Sequence, residues 1–251
     1  MHRIRMLAYL MSTMLVASQT GCAARTSSPS IVVFAAASLK PTFTRIGERF
    51  EADHPGTSVR FDFASASDLA IRLTQGARGD VFASADTAQM TKVVDAGLIA
   101  GTPVDFASNT LAIVTAVGNP KRIESFADLA QPGLTVLVSP PPTPCGVATL
   151  RVENSTGVHL DPASEEPNVE DVLNKVITGQ ADAGLVNITD ARAAGDTVTT
   201  VMFPEAAEAV TTYPIAVLKP AGQPSLAGKF VDLVTNEYGQ KILGRAGFGK
   251  P

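Results

Sequence analysis

The sequence has no tryptophan, two cysteines, three histidines and three tyrosines, and each scarcity removes a class of function. With aromatics at 6%, there is no stacking platform for bases or sugars. Cys22 and Cys145 are too few for a disulfide framework, so the fold must stand on its core. The histidines do not group: His2 is N-terminal, His54 belongs to a helix-ending His-Pro-Gly, and His159 lies in a polar loop. No His/Cys/Asp/Glu cluster has metal-ligand spacing, so no direct protein–metal site is expected. A hydrolase would need a nucleophile with a base, or paired carboxylates; Gly-x-Ser-x-Gly is absent and no serine has an evident base. The chain is therefore expected not to be an enzyme and to need no cofactor. A surplus of one charge is missing too, since 20 Lys plus Arg against 24 Asp plus Glu leaves −4. That balance gives no attraction to nucleic acid or to an anionic membrane surface.

What is present is a chain of 251 residues, 45% hydrophobic, long enough for one large domain or two lobes with separate cores. Arg3 and Arg5 precede the mostly apolar residues 6–17, and the small pair Thr20-Gly21 leads into Cys22, which together read as an export signal. The run is too short to span a bilayer. A cysteine after small residues resembles the lipobox of bacterial lipoproteins, although Gln19 stands where an aliphatic residue is usual. Two outcomes stay open: a lipid anchor on Cys22, or an ordinary cleaved signal within residues 1–22. The small, polar residues 23–30 suit a flexible tether.

From Ile31 onward, short apolar runs alternate with amphipathic stretches, the pattern of an α/β fold with parallel strands. Strands are expected at residues 31–35, 59–63, 80–86, 134–139 and 183–186. Helices are expected after Ser38, at Ser65-Ala66-Ser67-Asp68, after Asp86, from Cys145 and from Val169, and one final helix carries Leu226, Phe230, Leu233 and Leu243. Residues 111–115 and 213–218 read as paired hinge crossings. They divide the chain into a first lobe (31–110 and 213–251) and a second (111–212).

Four of the helix starts, at Ser38, Ser65-Ala66, Cys145 and Val169, are poor in charge and rich in small residues. The free N–H groups of a first helical turn carry roughly half a positive charge, so several such ends together can replace the hydration shell of a small oxyanion. A single end contributes only ~0.3–1 kcal/mol. Six or seven charge-assisted bonds of about 1.5–3 kcal/mol could offset desolvation and leave the roughly −8 kcal/mol of a micromolar binder. Strand–turn–helix units with Ser or Asp caps nevertheless occur throughout α/β proteins, and Ser65-x-x-Asp68 also reads as a capping box.

Three runs in order, Val33-Phe34-Ala35-Ala36-Ala37-Ser38-Leu39, Phe63-Ala64-Ser65-Ala66-Ser67-Asp68-Leu69-Ala70 and Gly79-Asp80-Val81-Phe82-Ala83-Ser84-Ala85-Asp86, closely resemble the periplasmic molybdate-binding proteins. The likeness continues through Pro144-Cys145-Gly146, Val169-Glu170-Asp171-Val172, Asn187 and Tyr213-Pro214-Ile215-Ala216-Val217, covering essentially everything after the tether. It implies a type II bilobal solute-binding fold with the oxyanion between the lobes. It further implies molybdate capture, with tungstate not separable, for delivery to the permease and ATPase of an ABC importer by an exported, monomeric protein at the membrane's outer face or in the periplasm. Carried over residue by residue, Ser38 offers hydroxyl and N–H. Ala66 offers N–H where some relatives have a second Ser, with Ser65 a neighbouring hydroxyl. Cys145 and Val169 offer N–H alone. Asn187 stands where better-known relatives place a Tyr hydroxyl; it either contacts the anion or caps the turn into Thr189-Asp190. No Lys or Arg lies in these segments, which suits a fully ionised dianion. Sulfate, smaller but of equal charge, is the serious competitor.

Overall fold

A computed structural model describes residues 28–251; the export signal, Cys22 and most of the tether lie outside the described residues. The chain runs β1 (Ser30–Ala36), α1 (Lys40–Asp53), β2 (Ser58–Ala64), α2 (Ala66–Thr74), β3 (Val81–Ala83), α3 (Thr87–Asp95), β4 (Ile99–Asn109) and β5 (Leu111–Thr115). It continues with β6 (Val136–Val138), α4 (Pro144–Thr156), β7 (Ser164–Glu165), α5 (Val169–Ile177), β8 (Ala183–Asn187), α6 (Ile188–Ala194) and β9 (Thr199–Val201). It ends with β10 (Thr211–Leu218), α7 (Pro224–Thr235) and α8 (Glu237–Ala246).

These strands form two five-stranded sheets, ordered β2-β1-β3-β10-β4 and β7-β6-β8-β5-β9. Each is built alike. β1 is parallel to β2 and β3, as β6 is to β7 and β8, while β10 and β5 run antiparallel to their neighbours. β1 is apolar from Ile31 to Ala36 because both its faces are covered. Ile31, Val33 and Ala35 join Phe43, Phe50, Phe106 and Phe230 on the side of α1, α7 and α8. Phe34 joins Leu69, Leu73, Met90 and Val93 on the side of α2 and α3. The second sheet has its own core, with Leu111, Ile113, Phe126, Val172, Leu185 and Phe203. Two separate cores make two lobes that can move as bodies.

The chain crosses between sheets at Thr110 and Val210. Thr211 is the register partner of Asn109 at the end of the first sheet, and the Thr110 carbonyl accepts from Ile188 N at 2.8 Å in the second lobe. The two crossings therefore lie side by side, the arrangement of a hinge. The segments read as hinge crossings, residues 111–115 and 213–218, each begin just past a crossing and lie in different sheets: β5 pairs with β8 and β9, and β10 with β3 and β4. The expected last helix is two, since Asn236 breaks it and its carboxamide oxygen accepts from Tyr238 N and Gly239 N to cap α8. β4, the longest strand described, was not anticipated from the sequence; it is an edge strand, where Pro103 is tolerated. No described helix is long and apolar enough to cross a membrane.

Candidate functional site

The sheets' parallel strands point toward the cleft, so the helices that follow them begin there. The starts of α2, α4 and α5 are capped by side chains, and the capping decides which N–H groups remain free. In α2, Ser65 Oγ accepts from Asp68 N at 3.2 Å, leaving the N–H groups of Ala66 and Ser67 without intrahelical partners. At α4, Pro144 has no N–H and Thr143 Oγ1 takes that of Gly146 at 3.1 Å, so the first-turn donor that remains is Cys145 N–H. Asn168 Oδ1 caps α5 through Asp171 N at 3.0 Å, which frees Val169 N–H and Glu170 N–H. Ser38 sits in the 3-10 turn Ala37–Leu39 that leads into α1.

One cavity gathers these ends. The first lobe lines it with Ala36, Ala37, Ser38, Ser65, Ala66 and Ala85, and the second with Ser139, Thr143, Cys145, Asn168, Val169 and Asn187. Pro144 completes the wall. All six residues singled out from the sequence, Ser38, Ser65, Ala66, Cys145, Val169 and Asn187, thus border a single space. Ser139, Thr143 and Asn168 were missed; the two caps were legible as Ser/Thr/Asn before a helix, whereas nothing local marks Ser139. Among the described residues, no charged side chain lines the cavity and no metal-binding cluster of His, Cys, Asp or Glu occurs.

Behind Ser38 lies a hydrogen-bond relay that fixes its hydroxyl. Asn109 Oδ1 accepts from Thr110 N at 3.0 Å, so its Nδ2 must face the other way, donating to Thr189 Oγ1 at 2.8 Å and Tyr213 OH at 3.3 Å. Tyr213, already accepting, turns its proton to Ser38 Oγ at 3.0 Å. Burial pushes the Tyr213 phenol above its ordinary range, so it keeps that proton. The Ser38 hydroxyl, accepting from behind, is left to donate into the cavity. Tyr213→Phe should therefore weaken anion binding about threefold to tenfold. The loss should disappear in a Ser38→Ala background, and a double-mutant cycle followed by calorimetry checks this.

Cys145 is buried, its thiol donating to Leu185 O at 3.7 Å, and burial pushes the thiol well above its usual range, so its contribution is the backbone N–H and not thiolate chemistry. Asn187 borders the cavity, but its Nδ2 donates to Asp190 Oδ2 at 2.7 Å and its side chain makes no cap bond to α6. The expected alternative, an Asn capping the turn, thus becomes an Asn held by a buried acid. Asp190, buried in the first turn of α6, has its carboxyl pushed up to about 7, first by burial and further by Glu170, against the opposing bonds from Asn187. Besides the Asn109–Thr189 bond, two further contacts join the lobes: Gln89 Nε2 donates to Pro142 O at 3.0 Å, and Lys40 Nζ lies 3.2 Å from Glu170 Oε1. The Lys40–Glu170 pair is substantially exposed and contributes at most about 1 kcal/mol.

Residues 31–249 match the family model described as bacterial extracellular solute-binding protein. The chain is 58% identical to the molybdate-binding protein ModA of Mycobacterium bovis over 252 residues, covering 96% of this chain and 97% of the relative. Its fold superposes on the periplasmic molybdate-binding protein of Azotobacter vinelandii with TM-score 0.77 at 20% identity, covering 88% of this chain and 99% of that one. It also superposes on the sulfate-binding protein SubI of Mycobacterium tuberculosis with TM-score 0.75 at 18% identity, covering 88% and 86%. By sequence, by its two matched sheets and by a cleft at their helix ends, this chain belongs to the bacterial extracellular solute-binding protein family.

Proposed function

We propose that this protein captures molybdate, and with it tungstate, outside the cytoplasmic membrane and delivers it to the permease of an ABC importer. The observation that carries the reading is a cavity between two lobes whose donors are backbone N–H and hydroxyl groups, with no cation and no carboxylate among its described lining residues. A fully ionised tetrahedral dianion needs donors on every side and no acceptor, and neutral donors hold it without the long-range field that would admit any anion. The name and 58% identity of the mycobacterial relative support molybdate within that class.

Binding proceeds by capture and closure. Ser38, Ser65 and Ala66 belong to one lobe, and Cys145, Val169 and Asn187 to the other, so the anion is fully enclosed only when the lobes meet. Closure is then the state that a permease distinguishes from the empty form. No step breaks or makes a covalent bond; the protein acts as a monomeric carrier without catalysis or cofactor. Lipid on Cys22 would hold it at the membrane's outer face, and a cleaved signal would release it to the periplasm.

The reading is tested by calorimetric titration with molybdate, tungstate, sulfate and phosphate. Molybdate and tungstate are expected to bind alike and at least about tenfold more tightly than the others, a difference of about 1.4 kcal/mol. Sulfate is the second reading, favoured by the likeness of fold to a sulfate-binding protein, and preferential sulfate binding would establish it. Ser38→Ala should weaken molybdate binding by about 1–3 kcal/mol without lowering the ligand-free melting temperature by more than a few degrees. Unchanged affinity would remove Ser38 from the site.

A further inference from the structure

Among the described residues, the hydroxyl of Ser139 is one of two buried side-chain polar groups without a hydrogen-bond partner. The residue is 1% exposed, at the C-terminal end of β6, and it lines the cavity next to Thr143 and Cys145. An unsatisfied buried hydroxyl is destabilising, so its retention calls for a partner that the protein itself does not supply. The neighbouring groups are already committed. Thr143 Oγ1 donates to Pro140 O at 2.6 Å and accepts from Gly146 N, and the Asn187 amide is bonded to Asp190.

We infer that Ser139 is an anion-binding residue: its hydroxyl donates to the bound oxyanion and supplies, from the second lobe, the side-chain donor that Asn187, held by Asp190, does not fully provide. This inference rests on the oxyanion-binding reading of the cavity and extends it to a residue that no local sequence motif marks. Ser139 is well placed for the task. Its backbone is set by β6, which pairs with β7 and β8, and the following Pro140-Pro141-Pro142 stiffens its connection to α4. Ser139 also borders a second cavity lined by Thr149, Glu153 and Glu165, yet its hydroxyl bonds to none of these. A role confined to that side would be indifferent to anion binding.

The two roles separate because the anion-binding role moves two observables in opposite directions. Ser139→Ala deletes the orphaned hydroxyl, so the ligand-free melting temperature should stay the same or rise while oxyanion affinity falls about fivefold or more. Ser139→Thr, which keeps the hydroxyl, should recover at least part of the affinity. The titration uses whichever of molybdate and sulfate the unaltered protein binds more tightly, so preference for sulfate would overturn the molybdate reading and still test Ser139. Affinity unchanged in Ser139→Ala, or a fall in its ligand-free melting temperature, would overturn the inference. Failure of the unaltered protein to bind either anion would overturn both.

Discussion

Replacing Gly146 with alanine should weaken anion binding about 100-fold. A Cβ at this position would lie 2.4 Å from the carbonyl carbon of Pro140 and 2.5 Å from the carbonyl oxygens of Pro140 and Ser139. These are backbone atoms of a proline-stiffened turn, so no side-chain rotation can relieve the overlap, and α4 must move away from the end of β6. Overpacking of this kind costs roughly 1–3 kcal/mol, and the rigid backbone on both sides puts Gly146→Ala at about 3 kcal/mol. The displacement falls on the turn that carries the Thr143 cap, the Cys145 N–H and Ser139. A loss of about 100-fold in molybdate affinity is expected, with a melting temperature lower by about 6–12 °C. Titration and thermal unfolding of the purified variant check both, and near-normal affinity would mean that α4 does not hold the anion.

The second large effect is a dependence on pH. Asp190 is buried beside the cavity wall, and its carboxyl is pushed up to about 7, against about 3.9 for an unfolded aspartate. The folded chain therefore holds this proton more tightly than the unfolded one. Through this group, stability falls as pH rises from about 4 to about 7, and the full cost remains above that. The groups facing it are Glu170, which raises it further, the Asn187 amide, which lowers it, and Cys145 and Tyr213, both neutral in this range. A dianion in the cavity adds negative charge to the same surroundings, so binding favours the protonated acid and takes up a proton. Molybdate affinity should fall about tenfold between pH 6 and pH 8.5. Asp190→Asn keeps an acceptor for Asn187 and removes the charge. It should flatten the profile to less than about threefold and raise the ligand-free melting temperature at pH 8 by about 3 °C or more, with little change at pH 4. Equal pH profiles for the two proteins would place Asp190 outside the linkage.

The parts of the site that could be read in the sequence are those in which a residue acts through its own neighbours. Ser65 before Asp68 and Val169 after Asn168 mark helix starts whose free N–H groups follow from local geometry, and the cavity borders both. Long-range partners were not readable. Tyr213 is 175 residues from Ser38, and only the pairing of β10 beside β3 brings its hydroxyl there; from sequence it stood apart from every donor segment. Asp190 was only part of the turn after Asn187 in the sequence, and the fold buries it with its carboxylate bonded to Asn187. β4 was hidden because Gly101, Pro103 and an exposed face break the alternation that signals a strand, and the break between α7 and α8 carries no Gly or Pro, only the capping Asn236. The crossings themselves, at Thr110 and Val210, lie just before the apolar runs 111–115 and 213–218, because an apolar run marks a strand and not the bend that leads into it.

Diffraction at the molybdenum absorption edge from crystals grown with molybdate tests the central claim most directly, because it locates the metal without reference to any assigned role. A single strong anomalous peak is expected between the lobes, with oxide oxygens at about 2.7–3.2 Å from Ser38 and from the backbone nitrogens of Ala66, Cys145 and Val169. A peak elsewhere, an oxyanion in contact with a carboxylate, or a cavity that stays free of molybdenum at saturating ligand would contradict it.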